Sequence, residues 1–164
     1  MKKVLIASTV LALIIVAVDC GTSVTTVRAT KQTSGFQAPV QENLARGISL
    51  YESGDYAGSE TSLKQVVQDT PKNWQAHRYL GLARFKLGHY HPACESLLRS
   101  LDLAPDDSQI RADLYASLGE CWENLKEPGK ARLHYHTALN LWPQCTQANE
   151  GMARLAPVSG LQSR

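Results

Sequence analysis

At 164 residues, 43% hydrophobic and 20% charged, the chain is sized for one small folded domain and is not composed like a disordered segment. Its formal net charge is only +2. Nucleic-acid binding usually demands a concentrated basic face, so that class of partner is not expected.

The beginning of the chain stands apart from the rest. Lys2-Lys3 precedes an uncharged run of 15 residues from Val4 to Val18. A basic start and an apolar centre mark a secretory signal, and the run is short of the roughly 20 residues that span a bilayer. Residues 1–19 are therefore read as a signal peptide or membrane anchor. Cys20 follows directly and resembles the lipid-acceptor cysteine of bacterial lipoproteins, although Ala17-Val18-Asp19-Cys20 places a charge where a small residue is usual. Val27-Arg28-Ala29 offers a competing small-x-small cleavage site. Lipidation at Cys20, soluble export to a periplasm and an uncleaved anchor all stay open. Residues 20–38 are rich in Thr, Ser, Gly and Gln, with Phe36 the one large apolar side chain, and read as a flexible tether.

From Pro39 the patterning turns helical. Leu44, Ile48 and Tyr51 recur at i, i+4 and i+7, Gly54-Asp55 breaks the run, and Leu63, Val66 and Val67 mark a second helix ending near Pro71. Asn73 is placed to cap a third helix with an apolar stripe of Leu80, Ala83 and Leu87, and Gly88 turns the chain. Ala93, Leu97, Leu98 and Leu101 line the returning helix before Pro105. A fifth helix carries Leu114, Leu118, Cys121 and Leu125, and Lys126-Glu127-Pro128-Gly129 is its turn. Ala131, Tyr135, Ala138 and Leu139 bury the sixth helix, which Pro143 stops. Pro71 and Pro105 are 34 residues apart, Pro105 and Pro143 are 38 apart. The extra four, about one helical turn, predict an early start to the fifth helix, capped by Asp106, Asp107 or Ser108. Thr146 to Leu155 predicts a closing helix ending before Pro157, with a frayed tail over 157–164.

Leu80-Gly81 to Ala93 to Pro105 and Leu118-Gly119 to Ala131 to Pro143 share their spacing, and Gly47, Ser59 and Pro71 repeat it more faintly. Tyr115-x2-Leu118-Gly119-x2-Trp122, then Ala131-x3-Tyr135, Ala138 and Pro143, resembles the tetratricopeptide repeat. The resemblance covers about residues 40–143, with His77 and Arg84 standing where the second unit should carry aromatics. It implies an all-α fold, a right-handed superhelical stack of three helical hairpins (about 40–73, 74–107 and 112–145) plus a C-terminal capping helix at 146–156. It also implies a non-catalytic scaffold whose concave face, built from the first helix of each hairpin, grips a peptide or protein. By helical spacing that groove is expected to carry Leu44, Ile48, Tyr51, Gln75, Arg78, Leu82, Phe85, Lys86, Glu120, Glu123 and Asn124, with Asp113 and Ala116 on the same face.

Candidate chemistry is sparse. No phosphate loop, nucleophile elbow or H-E-x-x-H occurs, and no cofactor is implied. Cys94, Cys121 and Cys145 read first as small buried residues, with Cys94–Cys121 the pairing to expect if a disulfide forms. His91, Cys94 and Glu95 stand at i, i+3 and i+4, so a thiol- or metal-dependent enzyme using His91, Cys94 and Cys121 is the rival reading. Self-association through an exposed edge of the stack is a third. The sequence thus favours an exported protein of a bacterial cell envelope, joined to the membrane by its N-terminus. Its expected partner is an envelope protein or peptide, in assembly of a pilus, secretion or outer-membrane complex.

Overall fold

The computed structural model describes residues 37–156. The leader, Cys20, the Val27-Arg28-Ala29 site, Phe36 and the tail 157–164 lie outside the described residues. Seven helices follow one another: α1 (Gln37–Glu52), α2 (Tyr56–Asp69), α3 (Trp74–Lys86), α4 (Tyr90–Leu103), α5 (Ser108–Asn124), α6 (Pro128–Leu141) and α7 (Thr146–Arg154). No strand occurs among the described residues. α1 begins inside the stretch read as tether. Pro39 is tolerated there because a first-turn residue has no intrahelical acceptor for an N–H.

Local chemistry sets the helix ends. The Asp55 carboxylate accepts from the Gly58 N–H at 2.9 Å and the Asn73 side chain from the Ala76 N–H at 3.1 Å. Asp107 accepts from both Gln109 and Ile110 N–H at 2.9 Å, so α5 starts a turn early and runs 17 residues against 13 in α3. Each hairpin turns through one left-handed residue: Gly54 at φ 88°, Gly88 at φ 80° and Lys126 at φ 63°. The third turn uses a lysine where glycine is cheaper, at a cost of about 1 kcal/mol.

The hairpins α1–α2, α3–α4 and α5–α6 close where the sequence places its smallest residues. A methyl on Gly81 would stand 3.1 Å from the Ala93 carbonyl oxygen and 2.7 Å from Leu97, so these backbones lie against each other. Ser59 ties the first hairpin by donating to the Gly47 carbonyl at 2.8 Å. Leu63, Leu97, Leu114 and Leu118 are fully buried; burying a leucine contributes about 2 kcal/mol.

The two joints between successive hairpins differ in kind. At the first, His77 and Arg84 replace aromatic rings. His77 Nε2 donates to the Pro71 carbonyl at 3.0 Å, while Arg84 reaches Glu60 at 3.2 Å and Ser96 Oγ at 2.7 Å. These polar side chains leave a cavity of about 420 Å³ bordered by Lys64, Gln68, His77, Arg84 and Arg99. At the second joint Tyr115 and Trp122 fill the equivalent space. His134 stacks on both rings, at 6.0 and 6.5 Å, and Lys130 Nζ lies 4.4 Å over the indole.

Candidate partner-binding groove

The first helices of the hairpins, α1, α3 and α5, neighbour one another, and α7 continues the row beside α5. This row builds the face on which the groove was expected. Tyr51 projects from the end of α1 into an aromatic group, its ring 5.5 Å from Tyr56 and 5.7 Å from Tyr79. Burial is the main cause raising its hydroxyl above the ordinary tyrosine range, and Tyr56, Tyr79 and Glu120 add to it. Arg78 bridges α3 to α5 through Asp113 at 3.7 Å, with its guanidinium 5.9 Å from the Tyr79 ring. Asp113 is nevertheless pushed up, because burial outweighs the neighbouring arginine.

Leu82 and Phe85 are half-buried, resting on the core between the second and third hairpins. Phe85 meets Tyr90 edge-on at 5.5 Å and carries Lys86 Nζ 6.0 Å from its ring. Ile48 is also half-buried, and Gln75 and Lys86 are exposed. Ile48 packs on the first core and Leu82 and Phe85 on the second, with Arg78 and Lys86 on the same helix, α3, as Leu82 and Phe85.

Three expected groove residues need correction. Leu44 is 7% exposed and belongs to the first core with Leu63, Val66, Ala76 and Leu80. Ala76 carries only a methyl, which leaves room for Leu44 to sink between α2 and α3. Glu120 and Glu123 do not offer free charge. Arg154 of α7 grips Glu123 with two hydrogen bonds of 3.0 and 3.1 Å and stands 3.9 Å from Glu120. Tyr135 also donates to Glu123, at 2.8 Å. Asn124 is exposed and donates to the Glu120 carbonyl of its own helix at 2.9 Å.

Sequence spacing carried one missed signal. Arg154 stands 34 residues after Glu120, as Leu82 stands 34 after Ile48, so α7 repeats the register of a first helix. Tyr79 and Tyr56 also belong to the site, and nothing in the repeat pattern marked them.

Hydrogen bonding to Arg154 first, then to Tyr135, holds the Glu123 carboxyl below its ordinary value of 4.5 against the opposing effect of burial. As pH falls through 4.5, an unfolded Glu123 binds its proton before the folded one does. Stability linked to this group is therefore present above that pH and is lost on descent toward the lower folded value. Arg154→Ala is expected to flatten that acid limb, read as the urea midpoint against pH between 5 and 3. An unchanged slope would remove the ion pair from the balance of forces.

For the rival chemistry, His91 is exposed to solvent while Cys94 is buried in the core. Among the described residues no group of three or more His, Cys, Asp or Glu is placed to hold a metal ion.

Three known proteins bear on this geometry. The tetratricopeptide repeat family matches residues 44–108. Cell division cycle protein 27 homolog A of Arabidopsis thaliana is 32% identical over 102 residues, covering 62% of this chain and 14% of that protein. Protein O-mannosyl-transferase TMTC1 of Mus musculus is 24% identical over 124 residues, covering 74% and 13%. The chain thus spans about a seventh of the length of these curated relatives. In three dimensions the second TPR domain of human RPAP3, solved with an HSP70 peptide, superposes with a TM-score of 0.66 at 19% identity. It covers 74% of this chain and 98% of that domain. The fold is that of a solenoid of stacked helical hairpins.

Proposed function

We propose that this chain of tetratricopeptide repeats is a non-catalytic scaffold that holds a peptide or protein along its concave face, in a bacterial cell envelope. One observation carries the binding role: Ile48, Tyr51, Leu82 and Phe85 are half-buried on the first helices of two successive hairpins, with no helix of the described chain laid over them. Half-buried apolar side chains of this kind suit an extended or helical segment with spaced apolar side chains. The RPAP3 domain of the same fold was solved with a peptide, which supports this class of partner. Lys2-Lys3 and the Val4–Val18 run support export, and Cys20 supports a lipid anchor. An anchored scaffold of this size fits the assembly of a pilus, secretion or outer-membrane complex.

The test is affinity capture from membranes with the native chain and with Leu82→Glu plus Phe85→Glu. Two charges at these positions are expected to lower partner recovery more than tenfold while the helical circular dichroism is kept. Equal recovery by both chains overturns the groove. A mass spectrum of the mature N-terminus tests the anchor at Cys20 separately.

A further inference from the structure

The core between the second and third hairpins contains two cysteines, one from each side. Cys94 of α4 is 4% exposed and Cys121 of α5 is fully buried, and both belong to one cluster with Ala93, Leu97, Leu101, Leu114 and Leu118. They stand 27 positions apart in sequence, and packing in one cluster brings the two thiols within hydrogen-bonding reach of each other. The third described cysteine, Cys145, is buried in a separate cluster with Ala131, Tyr135 and Ala148. The fold therefore sorts the three thiols into one facing pair and one isolated group.

We infer that Cys94 and Cys121 are a cross-linking site, at which a small-molecule disulfide such as oxidised glutathione joins the second hairpin to the third. The thiolate of one cysteine attacks a sulfur of the glutathione disulfide and releases one reduced glutathione. The second thiol displaces the other glutathione from the mixed disulfide. The pair loses two hydrogens, and the two glutathiones carry away the electrons and protons. The site stands on packing alone and does not depend on export or on the groove.

Burial also sets the rate. Cys94 beside it, and then burial, push the Cys121 thiol far above the ordinary cysteine range, while the hydrogen bond with Cys121 lowers the Cys94 thiol, which makes Cys94 the attacking thiolate. With Cys94 only 4% exposed, the folded chain reacts slowly. Oxidation proceeds when the joint opens or while the chain folds. The link would fix the angle between hairpins two and three, and with it the placing of Leu82 and Phe85 relative to α5. The first hairpin contains no cysteine, so only one of the two joints can be locked.

The experiment refolds the full chain from urea in a mixture of oxidised and reduced glutathione, followed by peptide mapping without reduction. A Cys20→Ser, Cys145→Ser chain is carried in parallel. The expected result is one cross-linked peptide containing Cys94 and Cys121 in both chains. The melting temperature should rise by about 10 °C over the reduced form. Adding Cys94→Ser should abolish link and rise together. Links through Cys145, glutathione left on Cys94 or Cys121, or two free thiols overturn the proposal. If the parallel chain fails to refold, the map of the native chain decides alone.

Discussion

Tyr135→Ala is expected to cost about 4 kcal/mol, which is a large share of the 5–15 kcal/mol that holds a domain of this size together. Tyr135 is the largest fully buried side chain of the described residues. Its ring is held on both sides: an added methyl on Gly119 of α5 would come within 2.4 Å of it, and one on Gly151 of α7 within 2.3 Å. Removing the ring takes contacts away from three helices at once. It also strips the hydroxyl from the Glu123–Arg154 pair, where it donates to one partner and accepts from the other at 3.3 Å. Tyr135→Phe separates these contributions, since it keeps the ring and is expected to lose only about 1–2 kcal/mol. Urea titration of both variants measures the difference. A loss below about 2 kcal/mol for the alanine variant would mean that α7 collapses into the vacated space.

Gly119→Ala should destabilise by about 2 kcal/mol, although alanine is the better helix former by about 1 kcal/mol. The added methyl meets the Tyr135 ring, and the ring has nowhere to retreat because Gly151 backs its other face and two hydrogen bonds fix its tip. The steric origin predicts a change of sign. In a Tyr135→Leu background the obstruction is gone, and Gly119→Ala should become neutral or stabilising by up to about 1 kcal/mol, the helix propensity alone. A double-mutant cycle by denaturant midpoint measures this. Additive effects would show that glycine is needed at 119 for some reason other than the ring.

These two sites explain why the fold was legible in the sequence. Gly81, Ala93, Gly119 and Ala131 mark close approach of helices, and that requirement leaves a period that survives changes everywhere else. Asn73, Asp107 and Pro128 were legible because capping is a local transaction between neighbours in sequence. The groove was only partly so. Helical spacing says which side of α1 a residue lies on, but how deep Leu44 sinks depends on the small Ala76 of another helix. Glu120 and Glu123 read as free acids because their partner sits on α7, 31 residues beyond Glu123. The repeat register continues past Pro143, and Arg154 lies 34 residues after Glu120 on it. The tyrosine group around Tyr51 had no signal, since Tyr56 and Tyr79 belong to no motif position.

The contrast between the polar first joint and the aromatic second one has a mechanical consequence. The Glu60–Arg84 pair that crosses the first joint is mostly buried, so dissolved electrolyte screens it only in part, whereas the stacked rings of the second joint do not depend on salt. Both joints also close over buried apolar side chains, Leu63, Val66 and Leu80 at the first and Leu97, Leu101 and Leu118 at the second, so added salt should loosen the first joint only slightly more than the second.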